Sequence, residues 1–194
     1  MRWGVVQGDI LVHLKKYFPL VNMTGYDISP QLSQFWDHHK EAEKTEENKI
    51  AFYLGNFHEI NKVNYDVILM LDVFEHVRDP FTFLENSKQF ASYFVFHIPL
   101  DLSASSVLRS FPLINSRRKV GHLNYYTKDL AFETLTDSGY KIIDWQYGNA
   151  FLYPPNRSLK TSILAFPRRL VALLNKDFAV RLLGGETLFV LAKA

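Results

Sequence analysis

The chain has 194 residues, 47% of them hydrophobic and 15% aromatic, which is enough for one well-buried core and too apolar for disorder. Twenty-two Lys and Arg against twenty Asp and Glu leave a formal charge of +2, and that balance gives no electrostatic basis for a nucleic-acid partner. The lack of cysteine excludes disulfides, thiolate metal sites and a cysteine nucleophile; with no apolar run near the roughly 20 residues of a membrane span and no signal-peptide order, a cytoplasmic protein is expected.

The opening "MRWGVVQGDILVHLKKYFP" has the rhythm of a strand, a glycine turn and a helix, with Gly4 and Gly8 in the turn. Leu11, Leu14 and Phe18 share one stripe of a helix over about 10–18, and Pro19 stops it. "NMTGYDI" reads as a short strand. Ser29 is an N-cap and Pro30 suits the first helical position, after which Leu32, Phe35, Trp36 and His39 recur at helical spacing. "IAFYLG" and "YDVILML" are two further strands, the second apolar on both faces as a central strand would be. Asp79-Pro80 starts another helix, "YFVFHIP" is a strand, and Thr127 caps a helix running to Gly139. "YKIIDWQY" and "ETLFVLAKA" close the sheet and are expected to pair antiparallel.

Strands alternating with helical segments predict an α/β fold with a mostly parallel sheet flanked by helices. One domain over 1–194 is expected, elaborated by an irregular stretch at 100–126 and a second insertion at 150–184. Ligands of open α/β sheets sit beyond the carboxyl ends of strands, so both insertions are candidate lids. The second carries Leu159, Ile163, Phe166, Leu170 and Leu173 or Leu174 on a stripe broken at Pro167, with Lys160, Arg168 and Arg169 beside it. A lid is favoured over a helix lying on an anionic membrane, since Pro167 interrupts the continuous helix an anchor would prefer.

Asp27 lies nineteen residues after Gly8. At the end of the strand that follows a glycine turn, a carboxylate can accept both hydroxyls of a ribose. It can equally end a strand and lead into the Ser29 cap.

The motifs "GVVQGD", "GYDISP", "YLGNF", "YDVILMLDVFEHVRDP" and "HLNYYTKDLAFETLTDSGYKIID" resemble in order those of class I S-adenosylmethionine-dependent methyltransferases, in the small-molecule branch called type 11, 12 or 23. "DVFEHVRDP" is the most specific of them, and the resemblance spans about residues 4 to 146. It implies a Rossmann-like methyltransferase fold with strand order 3-2-1-4-5-7-6 and the last strand antiparallel. It also implies S-adenosyl-L-methionine as cofactor and a small-molecule acceptor methylated by in-line displacement. Gly4 and Gly8 match the turn beside the methionine half of the cofactor. Asp27 matches the ribose acid, Ile28 the neighbour of the adenine, and Asn56 with Phe57 the adenine-amino position. Leu71, Asp72 and Val73 match the strand end beside the sulfonium.

The sequence departs from the family pattern at the head. Val6 replaces the middle glycine of the turn, and only Met1 to Trp3 precede Gly4 where the family has a full first strand, so a degenerate or truncated glycine motif is expected. Weaker cofactor binding should follow.

In the family's loop after strand four, His76 is the best-placed base and Glu75 its orienting partner. The pair could instead join a divalent cation, as in some relatives, or Glu75 could face solvent while His76 caps or packs; no metal site is assigned. His97 and Asp101 are weaker candidates for the base, and His97, His122, Tyr125 and Tyr126 are candidate substrate contacts. Two other function classes stay open: a catalytically silent methyltransferase-like binding or scaffold protein, and a nicotinamide-dependent oxidoreductase, for which "GVVQGD" is a poor glycine fingerprint.

Overall fold

The computed structural model describes residues 9–31, 50–148 and 171–194. They belong to two compact units, Met1–Val63 and Asn64–Ala194. Gly4, Val6 and Gly8, the stripe from Leu32 to His39 and most of the 150–184 insertion lie outside the described residues.

In the first unit, helix α1 (Asp9–Tyr17) precedes strand β1 (Met23–Asp27), which pairs parallel with β2 (Ile50–Leu54). Of the predicted α1 stripe Leu11 is buried, whereas Phe18 lies one residue past the helix and is 54% exposed. The packing explains a glycine in mid-strand. A Cβ on Gly25 would come within 2.8 Å of the Phe52 ring and 3.1 Å of Leu11. A short helix α2 (Phe57–Ile60) follows β2, capped by Asn56.

The second unit is built on a four-stranded sheet. Its strands are β3 (Tyr65–Leu71), β4 (Ala91–Leu100), β5 (Lys141–Tyr147) and β6 (Glu186–Lys193), in the order β3-β4-β6-β5. β3 and β4 run parallel, and β6 is antiparallel to both its neighbours. The two pairing sets reproduce the segments 3-2 and 4-5-7-6 of the predicted order; the expected first strand falls outside the described residues. β3, read as a central strand apolar on both faces, is flanked on one side only among the described residues, and Val67 is 48% exposed.

Period-two alternation decides where the core sits. Phe94, Phe96, Ile98 and Leu100 of β4 and Leu188, Val190 and Ala192 of β6 are all buried on one face. Over them pack Leu84 of α3 (Pro80–Ser87), Ala131 and Leu135 of α4 (Lys128–Asp137), and Tyr140, whose hydroxyl donates to the Leu84 carbonyl at 2.8 Å. Both helices start as predicted. The Asp79 carboxylate accepts from Thr82 N–H, and Thr127 Oγ1 accepts from Leu130 N–H.

The stretch from 100 to 126, expected to be irregular, is helical. α5 (Ala104–Arg109) and α6 (Phe111–Val120) meet at Ser110, which has φ 54°, and α6 ends on Gly121 at φ 83°. Ser103 and Ser106 form a capping box on α5. Leu102 N–H donates to the Tyr126 carbonyl at 3.2 Å and closes the excursion at its base. Near the C-terminus, helix α7 (Lys176–Leu183) is capped by Asn175 and leads through Gly184 into β6. Among the described residues, no helix is long and apolar enough to cross a membrane.

Candidate functional site

In the first unit the candidate cofactor residues gather where β1 and β2 end. Asp27 closes β1, its Oδ1 accepting from Ser29 N–H at 2.7 Å and its carbonyl from Gly55 N–H at 2.8 Å. Ile28 follows and is 75% exposed, an apolar side chain held in water beside a carboxylate. Asn56 uses its side chain locally, accepting from His58 N–H at 3.2 Å and donating to Glu59 Oε1 at 2.9 Å. Phe57 stands edge-on to Tyr26, with ring centroids 5.1 Å apart, and Tyr26 in turn stacks on Tyr53. The acidic strand end, the apolar Ile28 and this aromatic group supply the residue types that a ribose and a planar base require.

In the second unit, β3 ends at Leu71 and delivers Asp72 in a backbone conformation uncommon for a residue with a Cβ, φ 53°. Asp72 is locked to the neighbouring strand end. Its N–H donates to the His97 carbonyl at 3.0 Å, and its Oδ1 lies 2.7 Å from His97 Nδ1. Val73 then opens a one-turn 3₁₀ helix, Phe74–His76. Phe74 fills the core against Phe96 and Tyr126, and it anchors the turn that carries Glu75 and His76.

Glu75 is fully buried rather than solvent-facing, and among the described residues neither carboxylate oxygen has a hydrogen-bond partner. Burial pushes its carboxyl up to about 9, with the charges of Asp72 and Asp101 adding to the effect. It does not orient His76 through a hydrogen bond: the closest approach, Oε1 to His76 Nε2, is 3.9 Å. That task falls to the Gly121 carbonyl, 3.2 Å from His76 Nδ1. The Glu75 carbonyl accepts from Leu123 N–H and Asn124 N–H at 2.8 and 3.0 Å, tying this turn to the segment after α6.

His122 arrives on that segment. Its Nδ1 is 2.6 Å from Asp101 Oδ2 and 3.0 Å from Ser116 Oγ, and Ser116 Oγ–H donates to the same carboxylate oxygen at 2.8 Å. Burial works against charge on Asp101, but these bonds outweigh it and hold the carboxyl below the usual range. The His122 and His76 rings meet edge to face, 4.8 Å between centroids. The structure therefore joins Glu75, His76, His122 and Asp101 in one cluster, with His97 and Asp72 as a separate couple.

Ser116 escaped the sequence reading because nothing local links a helical serine to a histidine beyond the helix end. Tyr125 and Tyr126 are held by other contacts. Tyr125 donates to the Leu113 carbonyl at 3.0 Å, and Tyr126 is 5% exposed against Phe74 with its phenol pushed far up by burial.

The sequence matches the model of a family described as "Methyltransferase domain" over residues 4–144. No curated protein matches it. Among solved structures, the chain is similar to the mycolic acid cyclopropane synthase CmaA1 complexed with SAH and CTAB, at 12% identity and TM-score 0.66, over 98% of this chain and 76% of that one. It is likewise similar to the cyclopropane synthase MmaA2 from Mycobacterium tuberculosis, at 13% identity and TM-score 0.65 over 98% and 76%. The magnesium protoporphyrin IX methyltransferase ChlM from Synechocystis PCC 6803, solved with bound SAH, matches at 11% identity and TM-score 0.54 over 95% and 80%. Likeness at these identities speaks for the fold.

Proposed function

Because the chain belongs to the class I S-adenosylmethionine-dependent methyltransferase family, whose domain model covers residues 4–144, we propose that it transfers the sulfonium methyl of S-adenosylmethionine to a small-molecule acceptor. The observation that carries this reading is the run of family motifs at strand ends: Asp27 closing β1, Asn56 after β2, and Asp72 to His76 after β3.

Asp27 would grip the ribose hydroxyls, Ile28 and Phe57 would border the adenine, and Asn56 would meet its amino group. Gly4 and Gly8 would turn the backbone beside the methionine half. Leu71, Asp72 and Val73 would border the sulfonium, with the unusual Asp72 conformation fixed by its two bonds to His97. Methyl transfer is an in-line displacement that depends on alignment and on a desolvated nucleophile, with proton removal needed only for a protonated acceptor. His76, 37% exposed at its side chain, and the buried Glu75 beneath it are the groups proposed to act on the acceptor. His97, His122, Tyr125 and Tyr126 would shape its surroundings.

Methyl-labelled S-adenosylmethionine incubated with the purified chain and a small-molecule extract tests the reading. Label should move to a low-mass product. His76→Ala should reduce that transfer by about 10²-fold or more while leaving S-adenosylhomocysteine affinity unchanged. A chain that binds the nucleoside tightly yet moves no label to any acceptor would favour a silent binding protein instead.

A further inference from the structure

We infer that Glu75, His76 and His122 form a site for one divalent cation of the zinc class. One donor atom from each of the three lies within 4.8 Å of the others. The cluster contains a group that asks for a cation. Glu75 is fully buried, and among the described residues neither of its oxygens has a hydrogen-bond partner. A buried carboxylate in that condition costs several kcal/mol unless an opposite charge meets it. Asp72 and Asp101 deepen the negative potential there.

The two histidines are prepared in the manner of metal ligands. In each, Nδ1 is engaged by an oxygen acceptor: the Gly121 carbonyl at 3.2 Å for His76, and Asp101 Oδ2 at 2.6 Å for His122. Such partners place the proton on Nδ1 and the ring lone pair on Nε2, and a carboxylate behind the imidazole raises its basicity as a ligand. In His76 it is Nε2 that approaches Glu75, at 3.9 Å. Donors around tetrahedral zinc stand about 3.3 Å apart, given bonds of about 2.0–2.1 Å. Shortening the donor separations by up to roughly 1.5 Å would bring this group onto an ion.

Ligand chemistry selects the metal class. Two imidazoles and one carboxylate suit zinc and its neighbours, whereas magnesium and calcium take oxygen-rich shells. Three protein ligands leave a coordination position open, the arrangement of catalytic rather than structural zinc. The partial exposure of His76 puts that position within reach of solvent or acceptor. If the methyltransferase reading holds, on which this consequence rests, the ion would bind a hydroxyl or phenol oxygen and lower its pKa. The O–H proton would pass to water. The oxygen would then form its bond to the methyl carbon as the S–C bond breaks, its electron pair going to sulfur to leave S-adenosylhomocysteine.

The test is calorimetry with Zn²⁺ and visible absorption with Co²⁺ on EDTA-treated protein. One equivalent should bind and raise the melting temperature. Glu75→Gln and His122→Asn should each weaken binding by about 100-fold or more, and Asp101→Asn by about 10–100-fold through His122. His13→Ala, which replaces an exposed histidine of α1, should change nothing, and circular dichroism guards against misfolding of any one variant. No stoichiometric binding, or equal affinity in the native chain and in Glu75→Gln and His122→Asn, overturns the site. S-adenosylhomocysteine titrated into metal-free protein separates the two readings. Its loss would count against methyl transfer, and its retention without metal binding would count against this cluster alone.

Discussion

Asp27 already has one acceptor committed before any ligand arrives, since its Oδ1 holds Ser29 N–H at 2.7 Å. Replacing it with alanine would remove both that bond and the ribose grip, so asparagine is the cleaner probe. Asp27→Asn keeps an oxygen for Ser29 but loses the charge and an acceptor. It should leave the melting temperature close to native and weaken S-adenosylhomocysteine by about 1.5–3 kcal/mol, roughly 10- to 150-fold, the range for hydrogen bonds to a charged group. At the same scale, Glu75 and His76 were legible as a chemical pair because they sit in a specific motif. The partnership of His122 with Asp101, twenty-one residues apart, was not. It depends on the backbone bond between Leu102 and Tyr126 that brings the two ends of the excursion together, and no local pattern announces such a bond.

Among elements, α5 and α7 depend on one glycine. Gly184 ends α7 at φ 66° and ψ −166°, a conformation open essentially to glycine alone, and a Cβ there would lie 2.5 Å from Ser103 Oγ. That hydroxyl caps α5 by accepting from Ser106 N–H. Gly184→Ala should therefore strain one helix end and displace the cap of another, lowering stability by roughly 2–3 kcal/mol in urea unfolding. Unchanged unfolding would show that the cap is dispensable. The strands were readable because β4 and β6 alternate buried and partly exposed residues. α6 was not readable, because none of its residues is buried and so no apolar stripe marks its period. The ends of the α5–α6 pair did carry signals, Ser103 at the cap of α5 with Ser106 at its third position and Gly121 after α6, and capping rules applied to them point to where the helices start and stop.

Across the second unit, Asp177 ties α7 to α4 and β5. Its carboxylate takes Lys128 Nζ and the Tyr147 hydroxyl, and Arg181 Nε at 3.0 Å. Burial opposes its charge, but these three donors prevail and hold the carboxyl down to about 2. A folded-state value below the unfolded 3.8 means that the group stabilises the fold above about pH 4, and that this share is lost as pH falls toward 2. Partial exposure limits it to about 1 kcal/mol or less. The stability gap between the native chain and Asp177→Asn, followed by urea unfolding, should thus narrow between pH 5 and 2. A gap that stays constant would mean that the three contacts contribute through packing alone.

Calorimetric titration of the purified chain with S-adenosylhomocysteine probes most directly whether this domain holds the cofactor through Asp27. Saturable binding at one site per chain, weakened roughly 10- to 150-fold in Asp27→Asn, is the expected result. Absence of binding at millimolar ligand, or equal affinity in the two proteins, would contradict it.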